Sequence, residues 1–121
     1  LEHVLSAVYN CAHGAGLAVI MPAWMSYCIE HSDAKRFIQL ATRVFGCQMD
    51  YDDPKRTARE GVEAFKNFLR ELNMPLTYAE LGIEPDIDKM VEMNNVGDGV
   101  TGGYVGLTSE AIREIYELAR G

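Results

Sequence analysis

The sequence predicts an all-α domain. Apolar residues recur every three or four positions over most of the 121 residues, polar or proline residues stand ahead of each such run, and no stretch alternates apolar with polar residues as a half-buried strand would. No internal repeat and no low-complexity tract interrupts this pattern.

Each element has its own justification. Glu2 to about Tyr9 carries Val4, Leu5 and Val8 on one helical stripe. Asn10 and the small residues through Gly16 predict a break, after which a second helix opens near His13. Leu17 to Tyr27 is apolar almost all round, the mark of a buried central helix, and Pro22 should kink it because proline has no amide to donate. Ser32-Asp33 is expected to cap a third helix through about Phe45, with Phe37, Ile38, Ala41, Val44 and Phe45 inward and Gly46 as its stop. Asp53 as N-cap and Pro54 in the first turn then start a helix to about Leu72, whose stripe is Val62, Phe65, Phe68, Leu69 and Leu72. Short helices follow at Thr77 to Leu81 and at Asp86 to about Asn94. From Thr108 a last helix turns Ile112, Ile115, Tyr116 and Ala119 inward.

Length and charge bound the function. The size suits one domain with a usable core, since domains of about 100–150 residues are commonest. The chain begins with Leu in an already helical pattern, which suggests a segment of a longer soluble polypeptide. There is no signal peptide and no uninterrupted apolar stretch of about 18 residues, so no membrane partner is expected. Net charge is −7, from 11 basic and 18 acidic side chains, and the basic ones are scattered; nucleic acid is therefore not an expected partner. Cys11, Cys28 and Cys47 are odd in number and form no C-x-x-C pair, which fits a reducing cytoplasm better than a disulfide framework or a zinc knuckle.

The chemistry centres on His13. It precedes Gly14 in a run of small residues at the mouth of the long apolar helix, a placement that suits a metal ligand as well as a helix cap or surface residue. His3 lies ten positions upstream, and ten steps rotate a straight helix by about 280°, so the chain must turn if both rings are to serve one site.

His3 and His13-Gly14, followed by an apolar helix containing Met21-Pro22, resemble the C-terminal α-helical domain of iron-containing (group III) alcohol dehydrogenases, the butanol dehydrogenase branch above all. The resemblance continues through Gly46-Cys47, Leu72-Asn73-Met74-Pro75-Leu76, Glu80-Leu81-Gly82, a glycine-rich loop and the closing Ile115-Tyr116-Glu117-Leu118-Ala119-Arg120. It implies the multi-helix domain of the dehydroquinate synthase-like fold, with residues 1–121 as a single metal-bearing domain and a nucleotide-binding α/β domain upstream. In that family an aspartate and three histidines hold a divalent metal, iron(II) first and zinc second. His13 matches the last of those histidines, and the remaining ligands belong upstream of Leu1.

His3 matches a neighbouring histidine that touches nicotinamide and substrate, and so carries both the catalytic and the cofactor-binding assignment. The implied function is the C-terminal part of an NAD(P)-linked, cytoplasmic enzyme interconverting primary alcohols such as butanol and their aldehydes, a homodimer at full length. The fragment alone should be inactive. A polyol (glycerol-type) dehydrogenase of the same superfamily and a free-standing helical interaction domain without catalysis are the alternatives.

Other candidates have plainer readings. His31 reads as a solvated surface histidine, and Asp50, Asp52 and Asp53 as a turn with helix capping, because the glycine and terminal glutamate of a calcium loop are missing. Met21, Trp24, Met25 and Tyr27 read as packing rather than a substrate channel, and Cys11 as a small spacer rather than a soft ligand. Five glycines between Gly97 and Gly106 allow two readings: a loop that closes over substrate or nicotinamide, or a plain connection.

Overall fold

The computed structural model describes residues 7, 9, 13–32, 34–94 and 106–120. Ala7 and Tyr9 are helical. Six helices follow: α1 (His13–Glu30), α2 (Lys35–Arg43), α3 (Pro54–Glu71), α4 (Tyr78–Leu81), α5 (Ile87–Met93) and α6 (Ser109–Leu118). No strand joins them among the described residues.

As its composition predicts, α1 is the hub. It packs on α3, α6 and α4, and its Val19, Ile20, Cys28 and Ile29 lie fully inside the core. The helix runs on through Pro22, which is itself buried. Around it α2 packs on α3, and α5 on α6. Ile112, Ile115, Tyr116 and Ala119 of α6 point inward as the stripe requires.

The caps follow from local chemistry. Asp53 accepts from the Arg56 amide, Thr77 from Glu80, Asp86 from Lys89 and Thr108 from Ala111, each satisfying an amide that the helix start leaves free. Asn73 (φ 59°) and Gly82 (φ 80°) close α3 and α4. At α3 the Met74 amide donates to the Leu69 carbonyl (3.0 Å) and that of Asn73 to Arg70 (2.9 Å), a Schellman ending.

Two expectations fail in informative ways. Ser32 does not cap α2. Its hydroxyl donates to the Cys28 carbonyl (2.6 Å) and accepts from the Ala34 amide (3.1 Å), so it finishes α1. Ala34 holds the N-cap position at φ 60° without any side-chain bond, and Asp33 lies outside the described residues. The helix also ends early, at Arg43, which leaves Val44 68% exposed, while Gly46 at φ 68° turns the chain so that the Cys47 amide reaches the Ala41 carbonyl (2.9 Å).

The stripe of α3 is rotated from the expected one. Thr57, Ala58, Gly61, Val62 and Leu69 are buried, whereas Phe68 (47%) and Leu72 (56%) are exposed. Gly61 explains the rotation: a Cβ there would sit 2.6 Å from the Ala41 Cβ, so α2 and α3 approach through their smallest residues and push the large ones aside.

Candidate metal and substrate site

His13 is the first residue of α1, so the ligand candidate stands at the head of a helix held in the core by three neighbours. The His13 side chain, His3, Cys11 and residues 95–105 lie outside the described residues. Four positions before His13 in the sequence, the Tyr9 hydroxyl accepts from the Asp86 amide (2.6 Å), which ties Tyr9 to the start of α5 across 77 residues of sequence. Nothing in the hydropathy pattern signals that bond. Among the described residues no three His, Cys, Asp or Glu side chains converge as a metal-holding group.

Met21, Trp24 and Met25 do come together, but on a surface groove of about 350 Å³ whose other walls are Phe37, Leu40, Phe45 and Phe65. Only apolar atoms line it. The Trp24 ring meets Phe37 edge-on (centroids 5.9 Å apart), and Phe45 faces Phe65 at 6.3 Å. Tyr27 leaves this cluster and stacks on His31 instead, with centroids 4.1 Å apart. The groove was hidden in the sequence because three separate helices contribute to it.

His31 is exposed, as expected, and caps the end of α1 through its amide, which donates to the Tyr27 carbonyl (3.2 Å). Beside it Arg59 Nε donates to Glu30 Oε1 (2.8 Å), a bond that holds the Glu30 carboxyl below its ordinary range. Burial, and secondarily Glu114, pushes the Tyr27 phenol up. Asp50 is a turn residue as predicted: its Oδ1 accepts from the amides of Asp52 (3.0 Å) and Asp53 (3.1 Å).

A third polar cluster went unseen in the sequence. Tyr78 donates its hydroxyl to the Tyr116 carbonyl (2.8 Å), and Asn94 Nδ2 reaches both the Met90 carbonyl (2.9 Å) and the Tyr116 hydroxyl (2.8 Å). Asn94 directly precedes the glycine-rich segment and Leu107, buried, follows it. Both ends of that segment are therefore fixed to α6 and the core.

The likenesses to known proteins are consistent along the whole chain. The sequence profile described as "Fe-containing alcohol dehydrogenase family, C-terminal" matches residues 1–120. NADH-dependent butanol dehydrogenase A of Clostridium acetobutylicum is 29% identical over 97% of this chain and 30% of its own length. The crystal structure of NADH-dependent butanol dehydrogenase A from Thermotoga maritima superposes with a TM-score of 0.84 at 37% identity, covering 99% of this chain and 31% of that one. The aldehyde reductase YqhD of E. coli, at 22% identity, shares the fold with a TM-score of 0.81 over 98% of this chain and 31% of its own. The chain thus spans less than a third of the length of these relatives. The match over residues 1–120 places it plainly: the chain belongs to the iron-containing alcohol dehydrogenase family, as its all-α C-terminal part.

Proposed function

We propose that this domain is the metal-bearing half of an NAD(P)-dependent dehydrogenase that interconverts primary alcohols, butanol among them, and their aldehydes. The observation that carries the reading is the family match over nearly the whole chain, with His13 at the head of the buried helix α1. The relatives' names support NADH as the hydride carrier. Residues 1–121 act as one domain, and an upstream α/β domain of the same polypeptide binds the nicotinamide. Full-length chains pair as homodimers in the cytoplasm; no helix of the described residues is long and apolar enough to cross a membrane.

An imidazole is a borderline nitrogen donor that suits iron(II) and zinc alike, and one such donor fits a site completed by side chains from upstream. When bound, the ion supplies Lewis-acid polarisation of the alcohol or aldehyde oxygen. His13 contributes one ligand and must be neutral to do so. His3 would orient the substrate oxygen or relay its proton, a histidine's unperturbed pKa of about 6.5 suiting proton exchange near neutrality.

The test uses the full-length enzyme. His13→Ala should lower metal content and alcohol-dependent NAD(P)H formation together. His3→Ala should reduce kcat while metal content stays near one equivalent by elemental analysis, roughly a 10²-fold effect for a lost acid–base group. A metal-depleted His13→Ala enzyme with undiminished turnover rules the assignment out.

A further inference from the structure

We propose that Tyr9 is a positioning residue for the metal ligand His13: its hydroxyl, fastened to the Asp86 amide at 2.6 Å, holds the first turn of α1 where a ligand set can close. The role rests on the functional reading above, since it presupposes that His13 binds metal. The turn that carries the ligand, His13-Gly14-Ala15-Gly16, is weak by composition. Two of its four residues are glycine, the poorest helix former after proline, and no acidic side chain stands in it to balance the partial positive charge of the helix start. A Cβ on Gly14 would meet nothing within 4 Å among the described residues, so no neighbour steadies the turn there. The core takes hold of α1 only further on, through Val19 and Ile20. A helix end of this kind frays unless something outside it lends support.

Tyr9 lends it from the other side of the ligand. It stands four positions before His13, a span of at most about 14 Å for a fully extended chain, so whatever fixes Tyr9 limits where His13 can go. The Tyr9 side chain is half-buried against the core. Its partner is fixed as well. The Asp86 carboxylate accepts from the Lys89 amide (3.2 Å) and the Asp86 carbonyl from the Met90 amide (3.0 Å), so the residue is committed to α5 and its own amide is left for the phenol. Just upstream, the Ile83 amide donates to the Tyr78 carbonyl (2.9 Å), and the ring of Pro85 fixes a backbone torsion immediately before Asp86. Such a bond adds little to global stability, because water competes for both groups. Its effect is local, on the one turn that presents the ligand.

The test uses the full-length enzyme. Tyr9→Phe removes the hydroxyl and keeps the ring, and Tyr9→Met, which also keeps apolar bulk, is the second variant should the first not fold. Asp53→Ala, which uncaps α3 without touching Tyr9 or Asp86, is the stability control. Cobalt(II) affinity is measured by competition with a chromophoric chelator, and the visible spectrum of the cobalt(II)-loaded protein reports the geometry of the ligands. Hydrogen exchange of the metal-free protein follows the amides of Leu17 and Ala18, which close the first turn on the carbonyls of His13 and Gly14. Tyr9→Phe should bind cobalt(II) about 10–100-fold more weakly, shift its spectrum and exchange those two amides faster than the parent. Asp53→Ala should match the parent in affinity and spectrum.

Parental affinity and spectrum in Tyr9→Phe overturn the positioning role. So does an equal loss of affinity in Asp53→Ala, which assigns the effect to global stability. His13→Ala, measured in parallel, tells this role apart from the functional reading beneath it. If it abolishes metal binding while Tyr9→Phe leaves binding intact, the positioning role falls alone. If it retains the metal, the functional reading fails and takes the positioning role with it.

Discussion

Burial pushes the Cys28 thiol up to about 11, from an ordinary 9.0, because the apolar surroundings disfavour the thiolate. The folded state therefore holds that proton over a pH range in which the unfolded chain releases it. The stabilisation is complete below pH 9 and is lost as pH rises from 9 towards 11. The urea midpoint should fall across that window in the parent, and Cys28→Ala should lessen the fall. The Tyr78 phenol, raised chiefly by burial and next by Tyr116, acts in the same direction. Its hydroxyl satisfies the Tyr116 carbonyl, so Tyr78→Phe should cost about 1–3 kcal/mol in urea unfolding. At this scale the sequence was least legible. That His31 faces solvent followed from its polar setting, but its stacking on Tyr27 depends on where the last turn of α1 ends.

Among the elements, the α2–α3 contact is set by Gly61. Alanine is ordinarily favoured over glycine inside a helix by about 1 kcal/mol, yet here the added methyl would lie 2.6 Å from Ala41 Cβ and 3.0 Å from its Cα. Neither atom belongs to a flexible side chain, so overpacking wins, and Gly61→Ala should lose about 1–3 kcal/mol. Ala41→Gly should be less damaging beside Gly61→Ala than beside Gly61, a coupling that denaturant titration of the four variants would measure. Asp53→Ala, removing the cap of α3, should cost about 0.5–2 kcal/mol.

Helix existence and order were legible because periodicity reports a buried face, and the caps Asp53, Thr77, Asp86 and Thr108 because a short polar side chain at a helix start has one job. Facing was not. The exposed Phe68 and Leu72 obey the same periodicity as buried residues, and only the Gly61–Ala41 approach reveals which side turns in. Ser32 misled for a related reason: between two closely spaced helices one hydroxyl serves the end of the first, and α2 starts without it.

At the scale of the whole molecule, the family was legible from ordered motifs, whereas the functional centre was not, since the described residues hold no complete donor set. On the function proposed above, α1 with its neighbours is the platform that carries His13 to ligands supplied from upstream. The Asn94–Tyr116 bond adds a consequence of its own. Asn94 ties the end of α5 to α6 across 22 residues of sequence, so the two helices should open together rather than one after the other. Asn94→Ala should lower the urea midpoint clearly. Hydrogen exchange should therefore release the amides of α5 and α6 at a common denaturant concentration in the parent and at separate ones in Asn94→Ala.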